Sequence, residues 1–96
     1  MEAIRNDIYL FVTEGCEGCK IAKTLINNAI IQSNLSINLE IFDNSRFTTL
    51  SKLYKIDDFP TAIFIKNGMP VGRIVGTTTI NEIIKTINEC FKRYSY

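Results

Sequence analysis

Five consecutive apolar residues, Ile8-Tyr9-Leu10-Phe11-Val12, form the densest apolar run near the start of the chain. Apolar side chains on successive positions predict a strand covered on both faces, hence a central one. From Cys16 onward the apolar residues Cys19, Ala22, Leu25, Ile26, Ala29 and Ile30 fall at helical spacing, with Lys20, Lys23, Asn27 and Asn28 facing away. That helix is expected to end near Gln32, where Ser33-Asn34-Leu35-Ser36 reads as a loop. Ile37, Leu39 and Ile41 then alternate with Asn38 and Glu40, which predicts a second strand with one better-buried face. Strand, helix and strand of these lengths imply a right-handed parallel crossover.

Beyond the crossover, Asp43-Asn44-Ser45 is expected to cap a short helix that carries Phe47, Leu50, Leu53 and Tyr54 inward. Thr61 to Lys66 and Val71 to Val75 are strand-like runs on either side of Asn67-Gly68, the strongest short-range hairpin signal. Pro70 cannot donate to a ladder, so the second of these strands is expected at an edge. Thr79-Ile80-Asn81-Glu82 matches a capping box. Behind it Ile80, Ile83, Ile84, Ile87, Phe91 and Tyr94 hold a helical stripe to the C-terminus. The order βαβ, α, ββα predicts an α/β fold: a four-stranded mixed sheet with helices on both faces.

At 96 residues, with no repeat or linker, the chain reads as one domain over residues 1–96. A net charge of +1 with dispersed Lys and Arg leaves no electrostatic footprint for nucleic acid. The apolar run is too short for a signal-peptide core or a membrane span, so the expected location is the cytoplasm. Three cysteines, an odd number, argue against a secreted disulfide framework. In a reducing compartment a Cys-x-x-Cys is more often catalytic or metal-binding than structural.

Cys16 and Cys19 stand between the first strand and its helix. Residues three apart on a helix have Cβ atoms roughly 5 to 6 Å apart, and a disulfide needs about 3.5 to 4.5 Å. A first cysteine at the N-cap closes that gap with little backbone change, so the pair can cycle between dithiol and disulfide. The helix N-terminus favours a thiolate, which makes Cys16 the expected reactive member. The absence of histidine removes Cys-His pairs and every His-containing metal motif. A zinc half-site completed by a second copy is the alternative reading of the pair; no metal ligand set is assigned and no cofactor is expected. Cys90, on the flank of the last stripe, reads as a small buried hydrophobe, with a regulatory thiol as the alternative.

With Cys16-Glu17-Gly18-Cys19 after the first strand and Phe59-Pro60-Thr61 opening the third, nearly the whole chain resembles a small protein of the thioredoxin-like superfamily. The resemblance implies a cis Pro60, with Phe59 and Thr61 lining a substrate groove and Asp57 and Asp58 at its rim. It also implies a monomeric disulfide oxidoreductase acting on protein substrates and recharged by a thioredoxin-reductase-type or thiol reductant. Departures from the family pattern are equally plain. Gly15 stands where thioredoxins have tryptophan, and Leu10 where they bury an aspartate. Few residues precede the first strand, so the extra N-terminal strand and helix of full thioredoxins are not expected. Gly76-Thr77-Thr78-Thr79 lacks the glutathione-binding pattern of glutaredoxins, whose glutathione-dependent reduction is the enzyme alternative. A redox-silent binding module is the third reading. Glu17 places a negative charge beside Cys16 and disfavours its thiolate, Lys20 offsets part of this, and a reducing pair is the expected result.

Overall fold

β1 (Asn6–Val12) takes an interior position in the sheet, as its continuous apolar run requires. The computed structural model describes residues 4–92. After β1 come α1 (Glu17–Ser33), β2 (Asn38–Asp43), α2 (Thr48–Leu53), β3 (Thr61–Lys66), β4 (Met69–Val75) and α3 (Ile80–Phe91). The sheet order is β2-β1-β3-β4, with β1 parallel to β2 and antiparallel to β3, and β3 antiparallel to β4. The expected four-stranded mixed sheet is present. Alternation along β1 and β3 divides the core into two layers. Ile8, Leu10, Ala62 and Phe64 pack with Ala22, Ile26 and Ala29 of α1 and Ile83, Ile87 and Phe91 of α3. Phe11, Ile63 and Ile65 pack on the other face, with Leu50 and Tyr54 beside α2.

Asn67 and Gly68 both have positive φ, 51° and 82°, the conformation a two-residue turn between twisted strands demands. The turn also fastens the start of the sheet: Arg5 N donates to Asn67 Oδ1 at 2.8 Å and Asn67 N donates to Arg5 O at 2.7 Å. β4 is an edge, with Pro70 on it as expected. Its register shifts between Phe64 and Ile65, where Gly72 and Pro70 are successive partners and Val71 is the extra residue. Arg73 on the same strand donates to the carbonyl of Tyr54 at 2.6 Å, tying the edge to the end of α2. α3 starts at the expected cap, Thr79 Oγ1 accepting from Glu82 N at 3.2 Å. Tyr94, assigned to the same helical stripe, lies outside the described residues.

Three expectations change. The short helix begins at Thr48, with Phe47 at its N-cap and no side-chain cap. Asp43 spends its carboxylate on an earlier turn, accepting from the amide and hydroxyl of Ser45 at 2.9 and 2.8 Å, and these bonds hold it below the ordinary carboxylate range. Leu53 does not point inward: it is 70% exposed, whereas Phe47, at 40%, meets Phe42 of the aromatic layer edge to face at 5.1 Å. The inward side of α2 is set by Leu50, Ser51 and Tyr54. At about 100° per residue Leu53 lies roughly 100° from Tyr54, away from that side. Ile41 is also exposed. It lines an open depression together with Val12, Lys20 and Lys23.

Candidate active site

Val12 ends β1, and Glu14-Gly15 turns the chain into α1. Gly15 has φ +74°, a conformation in which the tryptophan of the family pattern would be strained. Cys16 follows as the N-cap of α1: its backbone is extended, and its Sγ accepts a hydrogen bond from Cys19 N at 3.1 Å. A sulfur thus takes the place of the oxygen that usually satisfies an open amide of the first turn. Cys16 and Cys19 are joined in a disulfide with their Cα atoms 5.3 Å apart. The two sulfurs are not equivalent. Cys16 is partly exposed, whereas Cys19 faces the sheet and is 5% exposed.

Pro60 reaches the pair from the far side of the sequence. The Phe59–Pro60 peptide is cis, and Pro60 O accepts from Gly76 N at 2.7 Å, which brings the loop after β4 alongside. A Cβ at Gly18 would stand 3.1 Å from Thr77 Cγ2 and 3.6 Å from Pro60 Cδ. Gly18, Pro60 and Thr77 are therefore in close apposition. Of the other residues expected around Pro60, Phe59 is half-buried and packs on the aromatic layer. The Thr61 side chain is buried, its hydroxyl donating to Asp58 O at 2.7 Å, so it braces the loop and does not face a groove. Asp57 and Asp58 are exposed.

An open depression of about 300 Å³ bordered by both cysteines is walled by Val12, Thr13, Glu14, Lys20, Lys23 and Ile41. Lys20 and Glu17 form an ion pair at 3.5 Å. Both ends are close to fully solvated, at 78% and 84% exposure, so the pair is screened and worth little. Beneath Pro60, Leu10 borders a gap of about 10 Å³ shared with Ala62, Ile74 and Ile83, room for about one water. The buried carboxylate of β1 is Asp7, at the other end of the strand, paired with Arg5 at 3.1 Å and accepting from Asn38 at 3.2 Å. Among the described residues no three Cys, Asp or Glu side chains converge as a metal site. No described helix is long and apolar enough to cross a membrane.

Cys90 stands apart from the pair, half-buried against Gly72 of β4, and its Sγ lies 3.7 Å from Val71 O. Burial, with Glu89 acting in the same direction, pushes its thiol above the ordinary value.

A strand, a loop and a Cys-x-x-Cys at a helix N-terminus, set beside a cis proline on a mixed sheet, define a thioredoxin-fold protein with a redox-active cysteine pair. The thioredoxin family model matches residues 3–89, and the chain belongs to the thioredoxin family, whose members are thiol-disulfide oxidoreductases. It is 26% identical over 77 residues to thioredoxin Y1, chloroplastic, of Arabidopsis thaliana, covering 80% of this chain and 45% of that protein. Thioredoxin Y, chloroplastic, of Oryza sativa subsp. japonica is 24% identical over 82 residues, 85% of this chain and 49% of its own length. The chain thus spans about half the length of the curated relatives it matches. Among solved structures, a point-mutant thioredoxin of Halobacterium salinarum superposes with a TM-score of 0.81 at 14% identity, over 94% of this chain and 78% of its own. Thioredoxin-2 of the malaria parasite, described as a component of that organism's protein secretion machinery, gives 0.80 at 19% identity, over 93% and 86%. The reduced thioredoxin pre-protein of Schistosoma mansoni gives 0.77 at 25% identity, over 91% and 80%.

Proposed function

We propose that this chain is a single thioredoxin-like domain that reduces disulfides in protein substrates, with Cys16 as nucleophile and Cys19 as resolving thiol. The observation that carries the reading is the asymmetry of the pair, a partly exposed sulfur at a helix N-cap bonded to one buried behind it. Cys16 thiolate attacks one sulfur of the substrate disulfide, forms a mixed disulfide and expels the other substrate sulfur as a thiolate, which takes a proton. Cys19 thiolate then attacks Cys16 Sγ, closing the Cys16–Cys19 bond and releasing the second substrate thiol. Two electrons pass to the substrate in each turn. A dithiol reductant, of the thioredoxin-reductase type or a small thiol, returns them.

Phe59 and the backbone around Pro60 and Thr61 form the proposed docking edge for the substrate chain. Glu17 and Lys20 tune the pair from solvent, and the proposed setting is the cytoplasm, a reducing compartment in which such a pair cycles. The test is reduction of insulin disulfides with dithiothreitol as electron source. The wild-type chain accelerates the reaction and Cys16→Ser does not, while Cys19→Ser, reduced beforehand and freed of dithiothreitol, accumulates a mixed disulfide with insulin. Failure of Cys19→Ser to trap substrate, with Cys16 free, overturns the assignment of roles. Activity supported by glutathione as sole reductant would favour the glutaredoxin-like alternative.

A further inference from the structure

We infer that the depression beside the disulfide binds the small molecule that recharges the pair: a dithiol with its thiols at one end of a short aliphatic chain and a carboxylate at the other. The inference rests on the dithiol-disulfide cycle proposed above and names its electron donor. Both cysteines border the depression, so a molecule held there is within reach of the bond to be reduced. Its volume, about 300 Å³, stands at the lower end of the range for small-molecule sites. Gly15 leaves its mouth open, since a Cβ there would meet nothing within 4 Å. Val12 and the exposed Ile41 give it apolar walls. Lys20 and Lys23 complete them, and lysine presents an apolar stem below a charged head.

Charge and spacing set the rest of the ligand. Residues at i, i+4 and i+7 share one face of a helix, and Cys16, Lys20 and Lys23 have that spacing at the start of α1. At 1.5 Å per residue, Lys23 lies about 10 Å along the axis from Cys16. Lys20 is already paired with Glu17, whereas Lys23 makes no ion pair among the described residues. A carboxylate about 10 Å from the reacting thiol therefore meets Lys23, and the aliphatic chain between them lies against Val12 and Ile41. Glu14, the one acid of the wall, sits in the turn before Cys16, at the end where the ligand carries thiols and no carboxylate. One bound molecule then completes the reduction. Its first thiolate attacks Cys16 Sγ, forming a mixed disulfide and expelling Cys19 as a thiolate, which takes a proton. Its second thiolate attacks the ligand sulfur of that mixed disulfide, closing a cyclic disulfide and releasing Cys16. Two electrons and two protons pass to the pair, and the ligand leaves as its cyclic disulfide.

The experiment follows reduction of the oxidised full chain by dihydrolipoate, a dithiol acid of this shape, and by dihydrolipoamide, its uncharged amide. The thiols formed are trapped by alkylation and read by mass. In the wild type the KM for dihydrolipoate is expected to be about fivefold below that for the amide, the scale of a solvent-exposed charge pair, with kcat alike for the two. Lys23→Gln brings the two KM values within about twofold, and Lys23→Glu makes the amide the better reductant. Octanoate, a sulfur-free acid with the same aliphatic chain, raises the KM for dihydrolipoate in the wild type and raises it less in Ile41→Ser. Reduction without saturation, equal KM values in the wild type, or a preference for the acid that survives Lys23→Glu overturns the inference. So does octanoate competition that is absent or unaltered in Ile41→Ser. In each of these cases insulin reduction with dithiothreitol still upholds the redox cycle. Octanoate that slows insulin reduction alone also overturns the inference and gives the depression to the protein substrate. A chain that none of the three dithiols reduces overturns both.

Discussion

Against Ile8, Leu10, Ala62 and Phe64 lie two helices of 17 and 12 residues, whereas the side chains Phe11, Ile63 and Ile65 are covered by a helix of six. The second face makes up part of the difference with rings. Tyr9 and Phe42 meet edge to face at 5.0 Å, Phe11 stacks on Phe42 at 5.4 Å and tilts against Tyr54 at 5.9 Å. Aromatic side chains bury much area on few residues, which suits a face with little helix to offer. The reactive pair belongs to the thicker side, at the start of the helix that carries Ala22, Ile26 and Ala29 into the core. The cysteine pair thus opens a helix that is anchored in the core along its length.

The contrast between the faces can be broken most directly in the thicker one. Ile87 is fully buried among helix and sheet, so Ile87→Ala is expected to cost about 2–5 kcal/mol, read from urea unfolding. A loss below ~1 kcal/mol would show that the layer tolerates voids. On the thinner face Leu53→Ser, at the exposed rim of α2, should change stability by no more than about 0.5 kcal/mol in the same measurement. A larger loss would mean that the rim is covered in solution.

Cysteine reactivity sharpens the same contrast. In the reduced chain at pH 7, Cys90 should alkylate more slowly than Cys16, because burial raises its pKa and the thiolate is the reacting species. Its rate should climb as pH rises past the ordinary thiol range, and equal labelling at neutral pH would contradict the burial described for it. The smallest effect concerns the solvent side of the motif. Glu17→His removes a negative charge near Cys16 and should favour the dithiol at equilibrium. Because the side chain is exposed and paired with Lys20, the change is expected to stay within about fivefold. A lower or unchanged potential would count against Glu17 as a tuning residue.

Most of the architecture was legible in the sequence because burial on one face or two leaves a period, and turns leave particular residues. The apolar run of β1, the stripe of α1 and the Asn67-Gly68 turn each stand close to where their patterns put them. Periodicity names a face without saying what lies over it, and that is where Leu53 and Ile41 departed from expectation. The cysteine pair was equally legible, being a local motif. Its neighbours Gly18 and Thr77 were not, since 59 residues separate them and only the fold brings a methyl group against a missing side chain. Nor did any residue pattern announce Val71 as the extra residue of β4.

The reciprocal hydrogen bonds between Arg5 and Asn67 fasten the sheet at the end away from the disulfide, across 62 positions of chain. In hydrogen-exchange terms the two ends of β1 then belong to different opening events. Exchange of the Asn67 amide reports the joint release of the first residues of β1 and the hairpin tip, while the turn at Glu14 and Gly15 exchanges through fluctuations of its own. The end of the sheet away from the cysteine pair is thus latched by contacts of its own.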